Sequence, residues 1–458
     1  MNNEEALGIV ETTLREQHLS KLQVMVFRQA WEEQSYYAIA KTSGYEVGYV
    51  KQTGSQLWQL LSQAFGEKVT KSNLQLVLKR KAKELDRKSS VVKISHNSSP
   101  IKHYPVQIDW GDAPDIAPFY GRNEELSTLK KWILQDGCRL VGLFGMGGIG
   151  KTSLSVKLAR EIQGEFDYVI WRSLHRAPPF EEFLEELIQS LTISQDIKLS
   201  HNFNHLILQL LTCLRMHRCL VVLDNIETIL APCDRSGGYL PGYEGYGQLL
   251  KCLGETNHQS TILLTSREKL QEIALIEGKF NPIRSMVLTG LSEKAIQDIL
   301  RIKGDFFAST EEWAVLVERY GGNPFTLKIV AGTIQYLFNS SIPNFLESLE
   351  EDTSVFGDIR YLLASQMERL SDLESEIVYW LSIAQKPVTF SELRTDFVPQ
   401  VSLADFLEAL TSLERRSLLE KVTSTIKKKT QTLFTLKPLL MDYISNRLQE
   451  EFLQKLYS

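Results

Sequence analysis

Eight consecutive residues constrain this chain more than any others. Gly145, Met146, Gly147, Gly148, Ile149, Gly150, Lys151 and Thr152 satisfy GxxxxGK[ST] at every fixed position. The run follows an apolar segment, RLVGLF, and opens a segment of helical period, KTSLSVKLAREI. A strand feeding such a loop, with a helix leaving it, turns backbone N–H groups inward and sets the positive end of the helix dipole behind them. That geometry suits a nucleotide's phosphates. Lys151 is placed to reach the β- and γ-phosphates and Thr152 to hold Mg²⁺ through its hydroxyl, with Ser153 next in the same turn.

The loop fits a wider pattern. RLVGLF, YVIWRS, CLVVL, TILLTS and SMVLTG each have the length and bounds of a buried strand, and helix-period segments lie between most of them. Alternation of this kind predicts a P-loop α/β core, a parallel sheet with helices on both faces. After Leu291 helices take over to about Glu351. They return from Ile359 to Arg447, interrupted by SLLEKVTSTIKKKTQTLFTL, a hairpin with a basic tip, and that order suggests a winged helix. Before the core, Leu19 to about Lys83 reads as compact and helical. LDRKSSVVKISHNSSPIKHYPVQIDWGDAPDIAPF, rich in Ser, Pro and charge, reads as a linker. The expected division is a helix-turn-helix-like all-α domain over 1–88, a linker over 89–117, the nucleotide-binding domain over 118–290, a small helical domain over 291–356 and a winged-helix domain over 357–458.

Two further strand ends carry candidate chemistry. Asp224 closes CLVVL, the place of an acid that binds Mg²⁺ or its water. Arg267 closes TILLTSR and is a candidate γ-phosphate sensor, or else a solvated loop arginine. Asn225 follows Asp224 where an ATP-hydrolysing site would often place a second acid; its amide can orient a water but takes no proton. Glu227 is the nearest acid downstream. It is either the catalytic base, swinging toward the γ-phosphate, or a first-turn helix acid favoured by the dipole.

In 458 residues a net charge of −5 supplies no global field for nucleic acid, and no apolar run approaches the roughly 20 residues of a membrane span. The five cysteines form no CxxC, and the start MNNEEALG lacks the order of a secretion signal, so the expectation is a cytoplasmic protein with reduced thiols and no membrane partner.

Together FYGRNEE (119–125), GMGGIGKT (145–152), VVLDN (221–225), LLTSR (263–267), LTGLS (288–292) and GGNPFTLK (321–328) resemble the NB-ARC domain. That domain is the nucleotide switch of the STAND class of signalling P-loop ATPases. The resemblance covers roughly residues 110–450, and DWGDAPDIAPFYGRNEEL and GYEGYGQLL look most like bacterial members. It implies an ATPase domain, a helical domain and a winged helix closed over ADP at rest, opened and self-associated with ATP and Mg²⁺. By the same match Phe119, Tyr120, Gly121 and Arg122 lie along the adenine side. Pro324 packs near the base or ribose, which is compatible with its also starting a helix. The chain departs from the family at Asn225, where many relatives have Asp. It departs again at FTLKPLLMDYI (434–444), where Lys437 and Pro438 replace a His-Asp pair that touches the ADP phosphate. The first departure bears on hydrolysis. The second makes Lys437 a candidate phosphate contact, or a solvated residue of the wing. Relatives usually carry sensor repeats after the winged helix, so a sensor or effector is expected either on a separate protein or on a longer form of the chain. A processive remodelling ATPase, the rival enzyme reading, would need a trans-acting arginine finger that the sequence does not display.

SYYAIAKTSGYEVGYVKQTGSQLWQLLSQAFG (35–66) looks like a helix-turn-helix, with Ser35 as cap, Ala38 and Ile39 buried, Gly44 at the turn and a longer helix from about Val47. Tyr49, Lys51, Gln52, Ser55 and Gln56 would face a DNA groove. From Lys41 to Lys88 ten Lys or Arg face four Asp or Glu. A nucleotide-controlled DNA-binding regulator is therefore the alternative to a protein-docking module.

Overall fold

In the computed structural model the described residues are 19–78 (without 33, 44, 66–68, 72 and 76), 106–192 (without 117), 203–349, 355–397, 401–426 and 429–457, together with 6 and 10. The chain falls into two compact units, Met1–His103 and Tyr104–Ser458.

The first unit is helical. Helix α1 (Lys21–Trp31) starts at a capping box in which Ser20 and Gln23 satisfy each other's backbone N–H groups. Helices α2 (Tyr36–Ser43) and α3 (Val47–Phe65) follow. Ser35 accepts the Ala38 N–H at 3.1 Å, as expected of a cap. The buried face of α2 is Ile39 and Ala40, one residue later than expected, with Ala38 only half-buried. Leu57 and Trp58 are buried, and the indole N–H donates to the Tyr36 hydroxyl at 2.7 Å. The expected turn residue Gly44 lies outside the described residues.

The second unit is built on a six-stranded parallel sheet. Its strands are β1 (Gln107–Asp109), β2 (Leu140–Phe144), β3 (Tyr168–Ser173), β4 (Cys219–Asp224), β5 (Thr261–Ser266) and β6 (Ile283–Val287), in the order β1-β3-β4-β5-β2-β6. Four of the five apolar runs singled out in the sequence are strands, and the fifth, SMVLTG, joins β6 only through Ser285–Val287, since that strand begins at Ile283. Strand β1 corrects the expected linker: Gln107, Ile108 and Asp109 pair with Tyr168, Val169 and Ile170 at the sheet edge.

Alternate residues feed opposite faces of the sheet. Val141, Leu143, Leu220, Val222 and Leu263 pack with helices α4 (Asn123–Lys130) and α5 (Lys151–Ile162). Leu140, Phe144, Val221, Leu223, Ile262 and Leu264 pack on the other side with α6 (Phe180–Leu191), α7 (Phe203–Met216), α8 (Glu244–Glu255) and α9 (Gln271–Ile276). The central strands are covered on both faces, so they read as continuous apolar runs.

Beyond the sheet come α10 (Glu293–Leu300), α11 (Thr310–Arg319), α12 (Pro324–Leu337) and α13 (Ile342–Ser348), then α14 (Gly357–Met367) and α15 (Asp372–Ala384). The chain ends in a three-stranded antiparallel sheet with its own helices. Strand β7 (Val388–Thr389), absent from the sequence reading, pairs with β9 (Lys429–Leu436), which pairs with β8 (Leu419–Ile426). Helices α16 (Phe390–Thr395), α17 (Leu403–Arg415) and α18 (Pro438–Tyr457) pack around them. One apolar cluster runs from Ile296 to Ile444, across the boundary expected at 356/357. Met146, from the phosphate loop, is buried in that same cluster.

Candidate functional site

The loop between β2 and α5 carries backbone angles that L side chains rarely adopt: φ is +142° at Gly145, +77° at Gly148 and +102° at Gly150. At Gly148 a Cβ would also lie 2.7 Å from the Cβ of Phe325, so a side chain is excluded twice over. The loop wraps the floor of a cavity of about 420 Å³. Gly147, Gly148, Ile149, Gly150, Lys151, Thr152 and Ser153 line it, with Phe119, Tyr120, Arg122, Asn225, Glu227, Arg267 and Pro324. Segments separated by more than 200 positions in sequence thus meet where the sequence placed the phosphates.

Five expected site residues do not line this cavity. Gly145 and Met146 turn away from it, Met146 into the helical core. Gly121, at φ +72°, lets α10 approach: a Cβ there would be 2.9 Å from that of Ala295. Asp224 sits just behind the wall, 3% exposed, and accepts from the Thr152 hydroxyl at 2.9 Å and the Thr265 hydroxyl at 2.5 Å. Lys437, just past β9, is outside the lining, yet its charge opposes that of Lys151. Pro438 opens α18 rather than merely ending a strand.

Lys151 is 8% exposed and donates to the carbonyls of Gly145 (2.8 Å) and Met146 (3.1 Å). Burial pulls its ammonium down to about 8; Glu227 and Asp224 oppose that pull, and Arg267 and Lys437 reinforce it. Burial pushes the Asp224 carboxyl up, against the hydrogen bonds from Thr265 and Thr152. Asn225 takes a left-handed conformation, φ +62°, as the cap of a 3₁₀ turn, Ile226–Ile229. Its amide donates to Asp224 at 3.2 Å and to Ser173 at 3.4 Å. Glu227 is in the first turn, as one reading had it, and the residue also lines the cavity. Both its oxygens are engaged by Arg267: the guanidinium Nε lies 3.2 Å from one and the backbone N–H donates to the other at 3.1 Å.

Family comparison agrees with this geometry. Residues 122–289 match the NB-ARC domain, and residues 1–81 match the N-terminal HTH of vWA-MoxR associated proteins. The chain carries an NB-ARC domain. It is similar to an uncharacterized WD repeat-containing protein of Nostoc sp., 49% identical over 356 residues, which are 76% of this chain and 28% of that protein. It is also similar to the disease resistance protein UNI of Arabidopsis thaliana, 30% identical over 112 residues, 24% of this chain and 13% of that one. The chain therefore spans less than a third of either relative. A Walker-type ATPase of Pyrococcus abyssi matches at 15% identity over 71% of this chain and 96% of that one, with a TM-score of 0.48.

Several residues of the site were not singled out in the sequence. Asn323, 2% exposed, accepts the Phe325 N–H at the start of α12 and donates to the Gly147 carbonyl at 2.9 Å, tying the helices after the NB-ARC domain to its phosphate loop. The polar residue before Pro in GGNPF was the available signal, an N-cap ahead of a proline at the first helical position. Pro324 accordingly both starts α12 and lines the cavity. Asp115 and Ile116 reach the wall from the stretch read as linker, and Ile299, Ile302 and Lys328 from the helices opposite. Arg122 donates to the carbonyls of Ile149 (3.2 Å) and Thr289 (2.6 Å), which makes it a brace for the loop as well as a wall residue. In the N-terminal unit Tyr49, Lys51, Gln52, Ser55 and Gln56 are all exposed. Among the described residues no helix is long and apolar enough to cross a membrane.

Proposed function

We propose that this chain is a nucleotide-controlled signalling switch, closed around ADP and opened by ATP, with slow hydrolysis at most. The observation that carries the reading is where the cavity lies. Its floor is the phosphate loop, while Leu291, Ile299, Pro324, Phe325 and Lys328 close it from the helical side. A nucleotide held there leaves only when the helices part from the loop, so its release is slow and coupled to shape.

In this reading Lys151 and the loop amides bind the phosphates, and Phe119, Tyr120 and Pro324 supply flat surfaces for the base. Thr152 on the wall and Asp224 just behind it offer hard oxygen donors side by side, a donor set that fits Mg²⁺. When bound, the ion would neutralise charge on the phosphate oxygens. Glu227 can accept a proton from water only once Arg267 has left it, and Asn225 supplies orientation without basicity. Both features support a low turnover. The helices and hairpin from α14 onward we read as a winged-helix domain, and a sensor or effector as the partner, with self-association of the ATP form.

The test is direct. The protein is purified, denatured, and its supernatant resolved by anion exchange; ADP is expected. Lys151→Ala should abolish ATP binding. A wild-type preparation that is nucleotide-free and binds no added ADP defeats the reading.

A further inference from the structure

The six-stranded sheet ends in β6, and one side of that strand has no neighbouring strand among the described residues. The Pro282 carbonyl accepts the Leu140 N–H of β2, and the Leu288 N–H donates to the Phe144 carbonyl of β2. Backbone groups alternate in direction along a strand, so Arg284 and Met286 face β2 as well, while Ser285 and Val287 turn their N–H and C=O groups away from the sheet. The Ile283 carbonyl, on the same outward row, accepts the Gly278 N–H at 3.3 Å. No described loop residue does the same for Ser285 or Val287. An edge left open in this way is a template for another strand.

Along the edge lies a recess of about 470 Å³. Trp132 lines it from the face that carries α4, and Lys269, Glu277 and Lys279, which flank α9, line it from the other; Ser285 and Val287 lie between them. Its hydrogen-bonding capacity is lopsided. Both Glu277 oxygens are engaged, one by the Lys269 ammonium and the other by the Ser285 hydroxyl. Asp136 is engaged by Arg284, whose guanidinium lies 5.6 Å from the centre of the Trp132 ring. What remains are donors. Lys269 has N–H groups to spare, the buried Arg284 Nε has no acceptor, and Lys279 makes no ion pair with a described residue.

Apolar surface adjoins these donors. Val287 is half-exposed at the strand end, and Phe280, next to Lys279, is 91% exposed. A small anion would answer the lysines and leave the outward backbone groups, Val287 and Phe280 unused. An extended chain that carries acids and apolar side chains in alternation meets all of them at once.

We infer that β6 is a docking edge for an extended acidic segment of a partner protein. The segment pairs its backbone with Ser285 and Val287, sets carboxylates against Lys279, Lys269 and Arg284, and lays apolar side chains on Val287 and Phe280. None of these residues lines the nucleotide cavity, so the inference stands apart from the nucleotide reading.

The test titrates the full chain, with ADP present, against a labelled peptide of about seven residues in which valine and glutamate alternate, and against its valine–lysine counterpart, both read by fluorescence anisotropy. The acidic peptide should bind, more weakly as salt rises, and the basic one should not. Hydrogen–deuterium exchange should slow at the Ser285 and Val287 amides when the acidic peptide is bound. Val287→Pro removes an outward N–H that the ladder to β2 does not use, a change that an edge strand tolerates, and should weaken binding roughly tenfold or more. Lys279→Glu, at an exposed position, should weaken it roughly fivefold. Circular dichroism verifies the fold of each variant. The inference is overturned if the folded wild type does not bind the acidic peptide, if both peptides bind equally, or if Val287→Pro binds as wild type does. Sedimentation adds a further outcome: self-association of the wild type that Val287→Pro abolishes would give the edge to a second copy of this chain and overturn the acidic partner. Each of these results leaves the switch reading untouched.

Discussion

The buried Lys151 makes nucleotide affinity depend on pH in a direction that can be worked out in advance. A lysine in water titrates near about 10.4. In the free site, walled in and answered mainly by carbonyl dipoles, Lys151 titrates at about 8. A bound di- or triphosphate, fully ionised above about pH 7, sets several negative charges beside the ammonium and returns it to the protonated form. Below pH 8 the free site already holds that proton and binding is indifferent to pH. Above it, binding must take one up. Affinity should then fall roughly fivefold between pH 8 and pH 9, and by a factor approaching ten for each pH unit beyond.

For folding without nucleotide the sign is opposite. Between about pH 8 and about 10.4 the unfolded chain holds a proton that the folded chain has lost, so this group's contribution to stability rises with pH through that window. The assay is calorimetric titration of ADP at pH 7, 8 and 9, repeated in two buffers of different ionisation enthalpy, with circular dichroism to verify folding at each pH. Uptake of nearly one proton is expected at pH 9 and almost none at pH 7. Constant affinity across the range with no proton uptake at pH 9 would refute the argument, since it would mean that Lys151 stays charged in the free site.

Three substitutions probe the rest of the wall. Asp224→Asn keeps the shape but removes the charge that Thr152 and Thr265 hold in place; the enhancement of ATP binding by Mg²⁺ should drop on the order of tenfold or more, read by titration with and without the ion. Glu227→Gln should abolish slow hydrolysis and trap ATP, measured by single-turnover phosphate release. If instead Asn225→Asp raises turnover and Glu227→Gln changes nothing, the base is wrongly placed. Lys437→Ala should change ADP release little, because Lys437 is not on the cavity wall. It should move the pH-dependent loss of affinity to higher pH, because a charge opposing Lys151 has gone.

The α/β core was legible because its information is local. Apolar runs ended by a turn or a polar residue report strands, the central ones buried on both faces, and the glycines of 145–150 report a loop whose backbone angles exclude side chains. Strand β1 was hidden because three residues, QID, carry no period and become a strand only by pairing with Tyr168–Ile170. Met146 was hidden for a different reason. In GMGGIGKT its position is a free one, so the motif says nothing of where its side chain goes, and the structure sends it into a core made mostly of residues after 295.

Glu227 lies in the first turn of a 3₁₀ helix begun by left-handed Asn225, the place one of its two readings gives it, and it also lines the cavity. What separates them is Arg267, 40 residues away, which occupies both carboxylate oxygens. The same holds around Glu268, which receives Arg369 and Arg416 with Arg415 beside them. Arg369, Arg415 and Arg416 stand at helix ends with no periodic pattern, and charged residues at such places are ordinarily solvated. Their convergence on Glu268 buries Arg416 and leaves Arg369 and Arg415 half-buried; breaking the buried Arg416–Glu268 pair would strand a charge away from water, at a cost of about 3–5 kcal/mol. A local pattern can mark where phosphate belongs, because a loop and a helix N-terminus suffice to bind it. It cannot mark which distant side chains meet that loop, as Asn323 does at the Gly147 carbonyl.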